Sequence, residues 1–329
     1  MKMLQKFLFQ NTIDPFRRAT ALGFAGCILT LMLSACSLPN LSADTSYTAT
    51  GLYFDTVIQI KVFDADDKEA ADACLALCDT YENLLSRTIS DSEISQINNA
   101  DGTLVTISEE TAQILLLGQS YGELSGGIFD ITIGRLTSLW NFGENEGTVP
   151  SEDAIKEALA TVNYQNLSVE CDENGTWTAT LQNKDAMLDL GGIAKGAIAD
   201  LLKDYLLSEG VEGAVINLGG NVLTVGEKPD RSDFSVAVVK PFGDGEYLFA
   251  LTIKDGSVVT SGNYERFFIK DDILYHHILD TSTGYPVQND LYAVTILCAS
   301  SAMGDALSTT CYALGLDDGM ALIESMEGV

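Results

Sequence analysis

The sequence predicts an α+β fold of mixed, largely antiparallel sheets packed with helices. Runs of alternating apolar residues crowd the second half of the chain with no helix between them, as hairpins rather than βαβ units would require. An Asn174-Gly175 pair separates two alternating runs in "LSVECDENGTWTATL", the usual signal of a tight antiparallel turn. Only a few segments carry the three- and four-residue apolar spacing of helices. No composition break divides the body into two domains.

Residues 1–35 read as a secretory signal. Lys2, Lys6, Arg17 and Arg18 precede the apolar run "ALGFAGCILTLMLSAC", which is short for a spanning helix and ends in small residues. "LSAC", Leu33 to Cys36, resembles the lipobox of bacterial lipoproteins. That implies cleavage before Cys36, lipidation of its thiol and a body anchored at the membrane outside the cytoplasm. An uncleaved anchor would lead to the same location. Residues 36–50 read as a polar tether, and the folded domain as 51–329.

"TVIQIKVF" alternates through Ile58, Ile60 and Val62 as a strand. "DDKEAADACLALCDTYENLLS" follows as a helix with Ala70, Cys74, Leu77, Cys78, Tyr81 and Leu84 on one stripe. A second helix is expected over Glu109–Leu124, closed by "SGG". "NFGENEGTVPSEDAIKEAL" reads as an acidic loop into a short helix capped at Ser151. "AMLDLGGIAKGAIADLLKDYLLSEG" reads as a short strand, a glycine turn and a helix to Ser208. Strands follow at "GAVINLGG", "FSVAVV", "YLFALTI", "GSVVTSG", "ERFFI", "ILYHHIL" and "LYAVTILCA". In the closing helix "SSAMGDALSTTCYALG", Met303, Leu307, Cys311 and Leu314 form an apolar stripe. Asp305 and Thr309, four residues apart, share a second face. A lone pair of this kind is ordinarily a solvated face.

The chain is strongly acidic, with 18 Lys and Arg against 47 Asp and Glu and a net charge of -29. Removal of residues 1–35 takes four basic residues and one acid, leaving -32. Such a field disfavours nucleic acid and anionic lipid surfaces. A phosphorylated substrate would need a cation or oriented N–H groups to offset it. Beyond Cys36 lie Cys74, Cys78, Cys171, Cys298 and Cys311, an odd number without a C-x-x-C motif. Cys74 and Cys78 read as small buried hydrophobes. With only His276 and His277 present, a soft-metal site is disfavoured, and any metal should be hard and oxygen-bound.

Local chemistry concentrates in a few stretches. In "DLGGIAKGAIAD", Gly191 and Gly192 permit close approach, the helix start offers unpaired N–H groups, and Lys195 adds a positive charge. A plain strand-to-helix turn with a solvated lysine accounts for this pattern about as well. "SGGIFDITIGRLTSLWNFG" reads as a loop whose aromatics either stack on a planar ring or belong to the core. His277 is either a proton carrier or a hydrogen-bonded structural histidine.

In order, "LSRTISDSEISQIN", "GGIFDITIGRLTSLWNFG", "LDLGGIAKGAIAD", "INLGGN", "TSGNYERFF", "HILDTSTGYP" and "DALSTTCYALG" resemble the successive signatures of the FAD:protein FMN transferases, the ApbE-like flavin transferases. The resemblance runs from about Gly51 to near the end of the chain. It implies an ApbE-like fold and a Mg²⁺-dependent enzyme. Such an enzyme splits FAD, moves FMN to a Thr or Ser hydroxyl of an extracytoplasmic acceptor redox protein, and releases AMP. By motif position, Asp305, Thr309 and the main-chain carbonyl of Gly192 would hold the metal. Phe54, Thr88, Gly127, Phe129, Asp130, Asp189, Lys195 and His277 would contact FAD. His277, Lys195 and Asp305 would serve catalysis, the base being His277 or a carboxylate. Phe54 stands where many members carry Met, and Thr88 where many carry Tyr. The chain stops at "ALIESMEGV", where the family usually continues into a further strand. Competing readings are an FAD pyrophosphatase with water as acceptor, a non-catalytic lipid-anchored flavin-binding protein, and a structural surface lipoprotein.

Overall fold

The computed structural model describes residues 46–143 and 147–329. The expected signal segment, the Cys36 lipidation site and most of the tether lie outside them. In chain order the described elements begin with β1 Tyr47–Tyr53, β2 Thr56–Val62, α1 Lys68–Leu85, α2 Glu93–Asn98, β3 Val105–Ile107 and α3 Glu109–Leu124. Next come α4 Gly134–Trp140, α5 Glu152–Leu159, β4 Leu167–Cys171, β5 Trp177–Leu181, α6 Ala194–Ser208, β6 Gly213–Leu218 and β7 Asn221–Gly226. The chain continues through β8 Phe234–Val239, β9 Tyr247–Ile253, β10 Gly256–Gly262, β11 Phe267–Lys270, β12 Ile273–His276 and β13 Ala293–Cys298, then α7 Ser301–Leu314 and α8 Leu316–Glu324.

A six-stranded sheet in the order β1-β2-β6-β7-β10-β13 forms the centre, and every pairing in it is antiparallel. Alternation explains its packing. Ile58, Ile60 and Val62 of β2 and Ala214, Ile216 and Leu218 of β6 are fully buried, a period of two that sends one side of each strand into the core. Helices α1, α6 and α7 join these residues in the main apolar cluster through Cys74, Cys78, Ile198, Leu202 and Leu307. The α1 stripe is centred as its spacing predicts, on Cys74 and Cys78, whose thiols burial pushes up to about 12. All five described cysteines are free.

A three-stranded antiparallel sheet, β3-β5-β4, and two hairpins, β8-β9 and β11-β12, complete the β structure. A second apolar cluster joins α4 to the β11-β12 hairpin. Trp140 stacks on Phe142 at 5.5 Å and on Tyr275 at 5.7 Å, and Phe268 stacks on Phe142 at 5.5 Å and on Tyr275 at 5.1 Å. Trp140 Nε1 donates to the Gly284 carbonyl at 2.8 Å. The aromatics of this stretch are therefore core. Among the described residues, no helix is long and apolar enough to cross a membrane.

Four readings change. Strand β1 begins at Tyr47, so residues 47–50 belong to the sheet and not to the tether. Ala49 pairs with Ile60 and is buried. The loop expected after "SGG" contains α4, whose seven residues are too few to show helical periodicity. The short strand expected at "AMLDL" is reduced to one parallel bridge, Met187 with Ile133. "GAVINLGG" is the first half of a hairpin: Gly219 and Gly220, at φ 62° and 102°, turn β6 into β7, which the sequence reading lacks.

Candidate active site

Helices α6 and α7 meet through their first turns and cap each other. Asp305 on α7 accepts the Gly196 N–H of α6 on Oδ2 at 3.0 Å. Asp200 on α6 accepts Ser301 N–H at 2.8 Å, Ala302 N–H at 3.0 Å and the Ser300 hydroxyl at 2.7 Å. Each carboxylate thus occupies the positive end of the other helix. The contact requires glycine at 196. A side-chain carbon there would collide with the Ser301 carbonyl and sit 2.7 Å from Ala302 Cα. Asp305 is 4% exposed, so the solvated face expected of a lone Asp/Thr pair does not exist.

The reciprocal cap shapes the glycine bend before α6. Gly196 is the third residue of α6, where a backbone amide has no partner within its own helix. Asp305 supplies the missing acceptor, and among the described residues no backbone amide bonds Gly192 O. One amide of the helix start is therefore already taken by the protein's own carboxylate. Gly192 is required by space and not by a left-handed backbone. A Cβ on it would lie 3.0 Å from the Phe129 ring and 3.7 Å from Thr309 Oγ1. Gly192, Asp305 and Thr309 are thus brought together by elements more than a hundred residues apart in sequence.

Asp189 anchors the bend from the other side. Its Oδ1 accepts Gly191 N–H at 2.8 Å, while Oδ2 accepts the Thr137 hydroxyl at 2.6 Å and pairs with Arg87 Nε at 3.0 Å. Asn98 clamps the adjacent Leu188 backbone with two hydrogen bonds, at 2.7 and 3.1 Å. Arg87 also brings its neighbour Thr88, exposed and hydrogen-bonded to Ser86, to this side of the bend. The Phe54 N–H donates to Glu82 Oε1 at 2.7 Å, and its ring is half-buried against the main core.

Lys195 lies half-buried beside the bend, its ammonium 3.4 Å from the Gly191 carbonyl. Its charge reaches His277 and Glu265. Burial, followed by the charges of His276, Arg266 and Lys195, holds His277 down to about 4, and its Nδ1 has no hydrogen-bond partner among the described residues. His277 is thus a neutral imidazole at neutral pH. His276 is structural, bonded through Nε2 to the Val287 carbonyl at 2.8 Å. Glu265 is raised by desolvation and by Asp305, against the lowering pull of Lys195 and Arg266.

Gly127 and Asp130 line a separate polar cavity of about 270 Å³ with Tyr164, Gln165 and Thr281. Asp130 spends both oxygens on the chain itself, on Thr132 N–H and hydroxyl and on Tyr164 N–H, at 2.7–2.8 Å. Phe129, 5% exposed, supports Gly192 from below and packs edge-on against Tyr121. The sequence reading omitted Gly196, Asp200, Arg87, Thr137 and Ser261. For Gly196 and Asp200 a signal existed: four apart on one helix face, a small residue and an acid fit a facing helix.

Three oxygens from a carboxylate, a hydroxyl and a carbonyl, with a lysine beside them, suit a hard cation and an anionic substrate. Among the described residues, no three His, Cys, Asp or Glu side chains cluster as a metal site, so such a set would contain at most two of them. Comparison with known proteins gives the family. The ApbE family model matches residues 54–329, and the chain belongs to the ApbE family. An FAD:protein FMN transferase of Klebsiella pneumoniae is 36% identical over 291 residues, covering 88% of this chain and 89% of the relative. One of Treponema pallidum is 30% identical over 320 residues, covering 92% and 88%. The crystal structure of the ApbE protein of Thermotoga maritima superposes with a TM-score of 0.77 at 32% identity, over 85% of this chain and 90% of that one. The flavin transferase ApbE of Vibrio cholerae gives 0.75 at 28%, over 85% and 90%.

Proposed function

We propose that the chain is an FAD:protein FMN transferase, which moves FMN from FAD to a Thr or Ser hydroxyl of an acceptor protein and releases AMP. Two transferases at 36% and 30% identity support the activity. The observation that carries the site is the convergence of Asp305, Thr309 and Gly192 on the α6 N-terminus.

The residues present fit Mg²⁺. Asp305 has only the Gly196 amide as a donor among the described residues, Gly192 O accepts no backbone amide there, and Thr309 Oγ1 is turned off its own helix. These three would hold the ion, which when bound would neutralise diphosphate charge in a strongly acidic protein. The acceptor oxygen attacks the FMN-side phosphorus, the bond from that phosphorus to the bridging oxygen breaks, and AMP leaves with that oxygen. His277, neutral at neutral pH, or a carboxylate would accept the hydroxyl proton. Lys195 faces the charge that gathers on the leaving phosphate. Asp189 and Arg87 keep the bend in register for FAD.

On the same reading the domain acts outside the cytoplasm, tethered through a lipid on Cys36, with extracytoplasmic redox proteins as acceptors. "LSAC" supports this, and loss of metabolic lipid labelling in Cys36→Ala is the expected result.

Incubation of the chain with FAD, Mg²⁺ and a Thr-containing acceptor should give covalent flavin fluorescence on a denaturing gel and a mass gain of one FMN. Free FMN and AMP without acceptor labelling would replace the transferase reading with a pyrophosphatase. Unchanged FAD would leave a binding protein.

A further inference from the structure

Thr309 departs from its neighbours on α7. Ser308 and Thr310 bond back to their own helix, Ser308 Oγ donating to the Asp305 carbonyl at 3.0 Å and Thr310 Oγ1 to that of Ala306 at 2.7 Å. Thr309 Oγ1 lies instead 3.1 Å from Ser261 Oγ on β10, and Ser261 Oγ lies 2.8 Å from Ser308 Oγ.

The direction of this chain follows from counting protons. Each hydroxyl has one proton and two lone pairs, and a carbonyl only accepts. The Ser308 proton is committed to the Asp305 carbonyl. The contact between Ser261 and Ser308 therefore needs the Ser261 proton, and the contact between Thr309 and Ser261 needs the Thr309 proton. Reversing either step leaves two oxygens facing each other with no hydrogen between them. Both lone pairs of Thr309 are left uncommitted, on a side chain adjacent to Gly192.

We infer that Ser261 is a positioning residue that takes the Thr309 proton and so presents the Thr309 hydroxyl to the divalent cation purely as an acceptor. The inference rests on the magnesium reading above. A ligating hydroxyl free to rotate would point its proton at the cation part of the time. An outer partner that fixes a ligand's orientation is typically worth ten- to a hundredfold in metal affinity.

The test is a Mn²⁺ titration of the full chain, following free Mn²⁺ by its electron paramagnetic resonance signal. Ser261→Ala should bind Mn²⁺ about ten- to a hundredfold more weakly, and Ser261→Thr, which keeps the hydroxyl, within about threefold of the parent. Thermal unfolding of Ser261→Ala in excess chelator should match the parent, because the effect belongs to the cation and not to packing. Parental Mn²⁺ affinity in Ser261→Ala, together with loss in Asp305→Asn, overturns the inference and leaves the metal site standing. Equal losses in Ser261→Ala and Ser261→Thr, or a lower unfolding temperature in chelator, also overturn it. Parental affinity in Asp305→Asn removes the magnesium reading itself, and this inference with it.

Discussion

Asp305 has two duties that substitution separates. Its oxygen holds the Gly196 amide, and on the proposed function its charge would face a cation. Asp305→Asn retains an acceptor oxygen and should cost the fold about 1 kcal/mol, while FMN transfer falls at least about a hundredfold. Chemical unfolding and the gel assay measure the two separately. His277 gives a pH prediction. Its folded pKa, about 4, lies below the ordinary histidine value of 6.5, and burial lowers His276 as well. Between those values the unfolded chain binds protons that the folded chain refuses, so stability falls as pH falls through this window. Urea unfolding at pH 5 should show a protein on the order of 2 kcal/mol less stable than at pH 7. His277→Gln should flatten that slope. At this scale the sequence made the Asp305 and Thr309 pair visible, because their spacing is local. The partners of Asp305 and Asp200 were not visible, because each lies about a hundred residues away and only the helix crossing joins them.

Among elements, α6 and α7 decide the site. Gly196→Ala forces backbone apart at their crossing, since the added carbon meets Ser301 and Ala302 main-chain atoms that cannot rotate away. It should destabilise the protein by about 2–3 kcal/mol and abolish Mn²⁺ binding as the Asp305 bond is lost. Calorimetry and the Mn²⁺ titration check this. Most helices of two turns or more were legible: α1, α3, α6 and α7 fall where apolar spacing puts them, with α3 capped by Ser108 and α5 by Ser151, whereas β1, β7 and α8 were not read. Those shorter than two turns, α2 and α4, and the three-residue β3 carry too little pattern to register. The glycine pair was legible as a bend but not for its reason, which is the tight approach of the Phe129 ring to Gly192 and of the Asp189 carboxylate to Gly191.

For the whole molecule, charge and fold act together. A net charge of -29 repels the FAD diphosphate at long range, and salt screens such repulsion over about 8 Å at physiological ionic strength against about 30 Å at 0.01 M. With Mg²⁺ saturating, KM for FAD should therefore fall as ionic strength rises from about 0.01 to 0.15 M, with kcat little changed. Steady-state kinetics across a salt series would show it, and a rising KM would count against long-range repulsion. The antiparallel α+β class was legible from hairpin signals. The strand order was not, since β10 joins β7 and β13 through pairings no local pattern encodes. The stacked rings around Trp140 have one more consequence. The chain has two tryptophans, and Trp140 is the fully buried one. It binds α4 to the β11-β12 hairpin, just before His277, so its emission and near-ultraviolet dichroism form a built-in optical gauge of whether that hairpin is seated.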